Sequence, residues 1–353
     1  MHIGIVGQGL AGTLTAFLLL RKGLQVSIID PGTPNASSIA SGLINPVTGR
    51  NYVKSWQIET LLKLADVIYP QLEEYLDIHC YQSIRLYRIL ADHHQTEKWM
   101  QRAILPGYEK YLTSDPLQWR KEISGLRESV EVGEVKLARW LDTEQLLSTF
   151  REVQRQHQAL HQTILEHEHL TLESDQVIWK DMAFDYLVFA EGSGITNNPF
   201  FNWLPVKPSK GERLLIRTKS DFQQVMKASY FIIPYREEGV YWIGSPTDFS
   251  AKDELPSAEG RQKLEDHIRL WLSTNYELMN HAAAFRPASR DQRPVIGFHP
   301  LHPRLAVING LGTKGVSLAP YLAHLMSERL VGAITSFPDE VDIARFEYPK
   351  ALH

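Results

Sequence analysis

Three glycines near the start of the chain have the spacing of a phosphate-binding turn. Gly7, Gly9 and Gly12 form G-x-G-x-x-G directly after the apolar run Ile3 to Val6 and at the head of an apolar segment that reads as a helix. The first glycine makes the tight turn, the second lets the backbone approach a pyrophosphate, and the third lets the helix pack close to its sheet. The N–H groups of the turn, through Leu10 and Ala11, add the positive end of the helix dipole. Asp30 ends a second apolar run, roughly twenty residues on, where an acid accepts from ribose hydroxyls. A glycine motif by itself is weak evidence, but here strand, turn, helix, second strand and acid follow in order, which predicts a dinucleotide site.

Two further glycine-rich turns follow apolar runs. One is Phe184 to Gly194, with Ala190 and Gly192 at its tip. The other is Asn309 to Gly315, with Gly312, Thr313, Lys314 and Gly315 leading to Val316. Three such turns suggest one long ligand threading a single domain. FAD is such a ligand, because its ring system lies far from the first turn and needs backbone contacts of its own. A nicotinamide-linked enzyme would leave the last turn without a purpose. His157, His161, His167 and His169 invite a metal reading, with the first two spaced for one helical face. No carboxylate or cysteine completes a ligand set, so a solvated face is expected. Trp56, Trp203 and Trp242 read as core.

The elements that must position these residues follow from periodicity. Ile3 to Val6 and Val26 to Ile29 are expected as buried parallel strands flanking a helix that runs to about Lys22, with Gly23 as its stop. Ser37 to Gly49 reads as a loop. Helical spacing recurs from Ile58 to Leu76. Thr143 reads as the cap of a helix carrying Leu146, Leu147, Phe150 and Val153. Short strands are expected at 169–172, 176–179 and 185–190, and a second sheet from Leu214 to Arg217, Tyr230 to Ile233 and Val240 to Ile243. Another helix carries Leu264, Ile268, Trp271 and Leu272, and a last strand, Leu305 to Ile308, leads through the glycine turn to a helix from Val316 to Leu330. Residues 80–140 carry no firm pattern.

Composition sets the outer bounds. The 353 residues suit two interleaved domains, and a net charge of -4 argues against a general nucleic-acid binder. No apolar stretch is long enough to span a membrane, and the N-terminus lacks the pattern of a signal peptide. The single cysteine, Cys80, excludes an internal disulfide and reads as a half-buried hydrophobe, so a cytoplasmic location is expected.

With these motifs in place, the chain resembles the D-amino-acid-oxidase-type FAD-dependent oxidoreductases, which include glycine and sarcosine oxidases, over nearly its whole length. The more specific segment is Phe285 to Gly297, F-R-P-A-S-R-D-Q-R-P-V-I-G, which is similar to the family's R-P-x-x-x-D-x-x-P-x-I-G. Gly310 to Ser317 resembles its flavin-contacting turn. Lys210-Gly211-Glu212, Trp242 to Ser245 and Trp140 to Asp142 are weaker echoes. The resemblance implies an α/β fold: a Rossmann-type, GR2-like FAD-binding domain interleaved with an α+β substrate domain on a mixed sheet. Residues 1–75, 141–205 and 286–353 would form the first, and 76–140 with 206–285 the second. Ser41 and Gly42 join the cofactor contacts. Relatives that hold flavin covalently do so through a histidine after the first βαβ unit or a cysteine near the last turn. Residues 36–42 contain no histidine, so non-covalent FAD is implied.

The implied reaction is hydride transfer from the carbon beside a neutral amine to flavin N5, after which the imine hydrolyses. The substrate would be a small amine or amino acid, and the electron acceptor stays open, oxygen among the candidates. Arg286 would grip a substrate carboxylate with its planar fork, the alternative being a structural salt bridge with Asp291 or a backbone contact. Lys314 and the N–H groups of 312–316 would stabilise charge at the N1–C2 edge of the flavin. Arg290 and Arg293 read as surface or bridging charges. Phe231 stands where glycine-oxidase-like members carry a substrate-facing tyrosine, with Tyr230 next to it in the opposite register. An oxidase acting on a carboxymethylamino group of a modified tRNA base is the alternative, with Lys207, Lys210, Arg213 and Arg217 as its basic track. A non-catalytic flavin-binding module is the other.

Overall fold

The computed structural model describes residues 1–115, 131–219, 223–272 and 275–349. Parts of the expected segments 76–140, 206–285 and 286–353 lie outside these residues. One six-stranded sheet runs in the order Leu160–His161, Gln25–Ile29, His2–Val6, Tyr186–Phe189, Leu305–Asn309, Val295–Phe298. The first five strands are parallel and the last is antiparallel. Ile3, Ile5, Leu187, Val188, Val307 and Ile308 are all buried, as continuous apolar strands with both faces covered must be. The helices Leu10–Arg21 and Gly315–Leu330 pack side by side over this sheet.

Parallel pairing has a direct consequence for the site. The strands ending at Val6, Phe189 and Asn309 are adjacent. Their carboxyl ends therefore lie along one edge, and the three glycine-rich turns meet there, where open parallel sheets bind ligands.

The second sheet has seven strands, in the order Tyr276–Ser289, Val206–Thr218, Glu237–Gly244, Phe231–Tyr235, Val225–Lys227, Leu86–Leu90, Glu131–Val135. It is mixed, since only Val225–Lys227 and Leu86–Leu90 pair parallel. The helix Ala258–Trp271 covers one face through Leu264 and Ile268.

The long strand Tyr276–Ser289 has weak amphipathic alternation and gave no signal in the sequence, yet it carries Arg286. The expected boundary between 285 and 286 falls inside it.

Several local expectations are corrected. The helix Thr143–Gln156 is capped by Asp142, whose side chain accepts from the Gln145 N–H at 3.0 Å; Thr143 is its first residue. The stretch 37–49 contains the short strands Leu43–Ile44 and Val47–Thr48. Within 80–140 there is a helix, His93–Ala103, capped by Asp92. His157 ends its helix and His161 lies in a strand beside Ile29, so the two do not share a helical face. Cys80 is fully buried, and its neighbours push the thiol well above its usual range, burial first and Glu73 next. Among the described residues no helix is long and apolar enough to cross a membrane, and no group of histidines, cysteines and acids is arranged to hold a metal.

Candidate active site

A cavity of about 640 Å³ runs from the glycine edge of the parallel sheet to the face of the mixed sheet. Gly7, Gly9, Leu10, Ala11, Asp30, Ser41, Gly42, Ala190, Gly192, Gly312, Thr313, Gly315 and Val316 line it, as do Phe231 and Arg286. Gly12, Lys314 and Tyr230 do not.

At the first turn the glycines act differently. Gly7 has φ +100°, and a β-carbon there would strike the Ala190 carbonyl at 2.5 Å. Gly12 is needed for packing: a β-carbon would overlap the Gly7 carbonyl. A β-carbon on Gly9 would meet only the Ser37 side chain, with Oγ at 3.1 Å, which would have to give way. Gly9 begins the helix with no side-chain cap, so the first-turn N–H groups depend on the Ser37 hydroxyl and on whatever enters the cavity. Gly192, at φ +58°, has nothing within 4 Å of a would-be β-carbon, and Gly312, at φ +52°, has only the Pro287 carbonyl at 4.0 Å. The chain thus leaves bare backbone at three points along one cavity, a cradle that fits a long dinucleotide.

Asp30 has a structural duty beyond the expected ribose contact. Its Oδ2 accepts from the Gln8 N–H at 2.8 Å, its Oδ1 accepts from the Gly32 N–H at 2.8 Å, and the Arg151 guanidinium pairs with it. The carboxylate therefore ties the glycine turn to the end of the second strand. His167, 3.6 Å from Glu191, lines the cavity on this side through the segment after Leu160–His161.

At the far end, Arg286 projects from Tyr276–Ser289 across Gly211 on the next strand. Its Nη2 donates to Ser245 Oγ, and its Nη1 lies 3.5 Å from the Pro246 carbonyl. Among the described residues no carboxylate forms an ion pair with it. Asp291 pairs with Arg345 at 3.0 Å instead, which removes the structural salt bridge. Burial lowers the Arg286 pKa to about 10, so it remains charged at neutral pH. Phe231 lines the cavity three strands away. Tyr230 turns to the other face and packs edge-on to His267 at 5.2 Å, because adjacent residues in an extended segment point oppositely.

Lys314 precedes the helix Gly315–Leu330. Burial, and then Arg293, lower its pKa, and its side chain does not reach the cavity. The backbone of the turn, not an ammonium group, faces the ligand space. Arg293 lies over the Trp56 ring at 5.0 Å, and Arg290 is exposed.

Other cavity residues carried a different reading in the sequence, or none. Trp242 is buried, as core residues are, yet lines the cavity, and its Nε1 donates to the Ile39 carbonyl at 3.2 Å. Trp56 and Trp203 are half-buried. Arg213 lines the cavity with Nε and Nη1 buried and unpartnered among the described residues, and Lys227 lines it beside Phe231. The basic track is broken. Lys207 is exposed, Lys210 is buried against Glu212 and Asp253, Arg213 faces the cavity, and Arg217 pairs with Glu237.

Comparison with known proteins gives the same outline. A family model described as FAD dependent oxidoreductase (DAO) matches residues 2–329. Glycine oxidase of Pseudomonas putida is 26% identical, with 94% of this chain and 95% of the relative covered. A tRNA 5-methylaminomethyl-2-thiouridine biosynthesis bifunctional protein of Idiomarina loihiensis is 22% identical over 98% of this chain, which spans only 59% of that longer relative. The crystal structure of iminodiacetate oxidase from Chelativorans sp. BNC1 superposes with a TM-score of 0.79 at 20% identity, covering 96% of this chain and 97% of that one.

Proposed function

The chain belongs to the FAD dependent oxidoreductase (DAO) family, and from that premise we propose that it oxidises the C–N bond of a small amino acid or carboxylated amine. The observation that carries the carboxylate is Arg286, a desolvated guanidinium with no acidic partner among the described residues, facing the end of a glycine-cradled cavity. A buried cation without an anion is costly, so the site favours an anionic substrate group.

When bound, FAD supplies the two-electron acceptor for the carbon beside the substrate nitrogen. Gly7, Gly9 and the helix start at Leu10 would hold its pyrophosphate, and the backbone of 312–316 with Ser41 and Gly42 would hold its ring system. Arg286 and Ser245 orient the substrate carboxylate. Phe231 and Trp242 supply apolar wall and exclude water from the reacting carbon. The oxidised product, an imine, hydrolyses to a carbonyl compound and an amine or ammonia. Non-covalent attachment is supported by the position of Cys80, outside the cavity, and cytoplasmic residence by that lone thiol.

Anaerobic absorbance of the holoenzyme with an amine panel tests the reading. Bleaching by carboxylated amines, and not by their decarboxylated counterparts, is expected. A flavin that no amine reduces would overturn it. The tRNA-base alternative keeps the 22% identical bifunctional relative as its support but not a continuous basic track, since Lys210 and Arg217 are paired with acids.

A further inference from the structure

A second, smaller cavity of about 220 Å³ adjoins the first. Lys227 and Phe231 line both, so they form the shared wall. The rest of its lining includes Asn45, Thr48, Tyr52, Arg88 and Trp99, and contains no aspartate or glutamate.

Sheet register places the charges. Phe231 pairs with Lys227, and Lys227 pairs with Arg88 on the next strand. Residues paired across strands share a face, so both cations stand side by side behind Phe231. Like charges in directly opposed positions are destabilising, and more so where water is scarce. Neither has an acidic partner among the described residues. Lys227 Nζ donates to the Ser229 carbonyl at 2.6 Å and stands 4.2 Å from the Phe231 ring centre. Arg88 lies against Tyr52, its guanidinium carbon 5.6 Å from the ring centre, and its Nε is buried without a partner. Two cations, no acid and polar side chains at the wall shared with the substrate space make an anion subsite.

We propose that the substrate carries a second anionic group, a carboxylate, which Lys227 and Arg88 hold while Arg286 holds the first. This rests on the reading of Arg286 above and narrows the substrate class to short aminodicarboxylates. The spacing fits. Ser245, which anchors the Arg286 guanidinium, follows the strand Glu237–Gly244, and Lys227 lies two strands away, a backbone separation of roughly 10 Å. Phe231 stands on the strand between them, with the Lys227 ammonium 4.2 Å from its ring centre, which leaves the span of a small diacid. The second carboxylate takes no part in bond breaking; it fixes which end of the molecule approaches the flavin.

The test uses the holoenzyme with iminodiacetate and its monoamide, N-(carbamoylmethyl)glycine, which differ by one charge at nearly constant shape. In the wild type, the half-saturating concentration for flavin reduction is expected to be at least tenfold lower for the diacid. In Lys227→Met and in Arg88→Met that ratio should fall to near one. Removing an unpaired buried charge should not impair folding. Thermal stabilisation by each compound is measured in parallel, so that binding is read even without turnover. Equal values for diacid and monoamide in the wild type, or variants that weaken both compounds alike, overturn the subsite. If neither compound reduces the flavin, the oxidation reading fails for this class. A diacid-specific thermal shift that both variants lose would still support the subsite, and no shift would remove it.

Discussion

The guanidinium of Arg286 lies in the space that a β-carbon on Gly211 would occupy. Gly211 stands on the neighbouring strand, two residues from the register partner of Arg286, Ser209. Its missing side chain lets the arginine lie flat across the sheet toward Ser245. The glycine of the Lys210-Gly211-Glu212 echo is thus part of the proposed carboxylate site.

Gly211→Ala should therefore damage Arg286 without touching the cofactor end. A methyl group forced against the guanidinium costs about 1–3 kcal/mol in displaced packing. Efficiency toward a carboxylated amine should fall roughly tenfold or more, since each 1.4 kcal/mol is about a factor of ten. FAD content should stay normal. Steady-state kinetics with absorbance of the bound flavin checks both. An unchanged kcat/KM would mean that the arginine has room to move.

Arg286→Ala should fold and retain FAD. Its kcat/KM on the best amino acid should drop by two or more powers of ten, because breaking a desolvated charge pair costs roughly 3–5 kcal/mol. The loss should be far smaller for an amine without the carboxylate. Equal losses for the matched pair would make Arg286 structural.

Gly9→Val should yield a colourless protein. The position lines the cavity and meets only the half-buried Ser37 side chain, so the added side chain holds a pyrophosphate off the backbone while leaving the core intact. Circular dichroism should match the wild type as the flavin absorbance disappears. Normal FAD content would show that the cradle lies elsewhere. Wild-type flavin should also leave the chain on denaturation.

Asp30→Asn should weaken FAD retention through the turn. The carboxylate accepts from the N–H groups of Gln8 and Gly32 and pairs with Arg151. Hydrogen bonds to a charged group contribute about 1.5–3 kcal/mol each, and a neutral amide keeps only part of this. A rise of about tenfold or more in the FAD dissociation constant is expected from titration of the apoprotein.

Binding of a diacid should depend on pH through Lys227. Burial, and then Arg88, lower its pKa to about 7. The charged form predominates below that value and is lost above it, so diacid affinity should be greatest on the acid side and decline as pH rises. His267, on the helix behind the sheet, has its pKa lowered to about 4 by burial and by Lys227, so it stays neutral through this window; Arg88 stays charged. The measurement is dissociation constant against pH for iminodiacetate and its monoamide. A flat difference between the two across pH 6–9 would remove Lys227 from the interaction.

What the sequence determined by itself was the set of glycine turns at the proposed cofactor end. The glycine turns announce themselves because backbone approach and positive φ exclude other residues, so chemistry at Gly7, Gly192 and Gly312 is written in residue type. Continuous apolar strands, the helix Ile58–Leu76 and the Phe285 to Gly297 segment were legible for the same reason: local spacing and composition specify them. Lys314 and Tyr230 lie outside the cavity lining because a side chain's direction within a turn or strand is set by packing, and neighbouring positions look alike in one dimension. The tertiary structure decided the proposed substrate end. Arg286 meets Gly211 and Ser245, and Lys227 meets Arg88, only through pairing between strands distant in the chain. A lone lysine or arginine in a strand carries no signal of its own, and it becomes a candidate ligand only when the sheet brings a second cation beside it and leaves no acid to answer them.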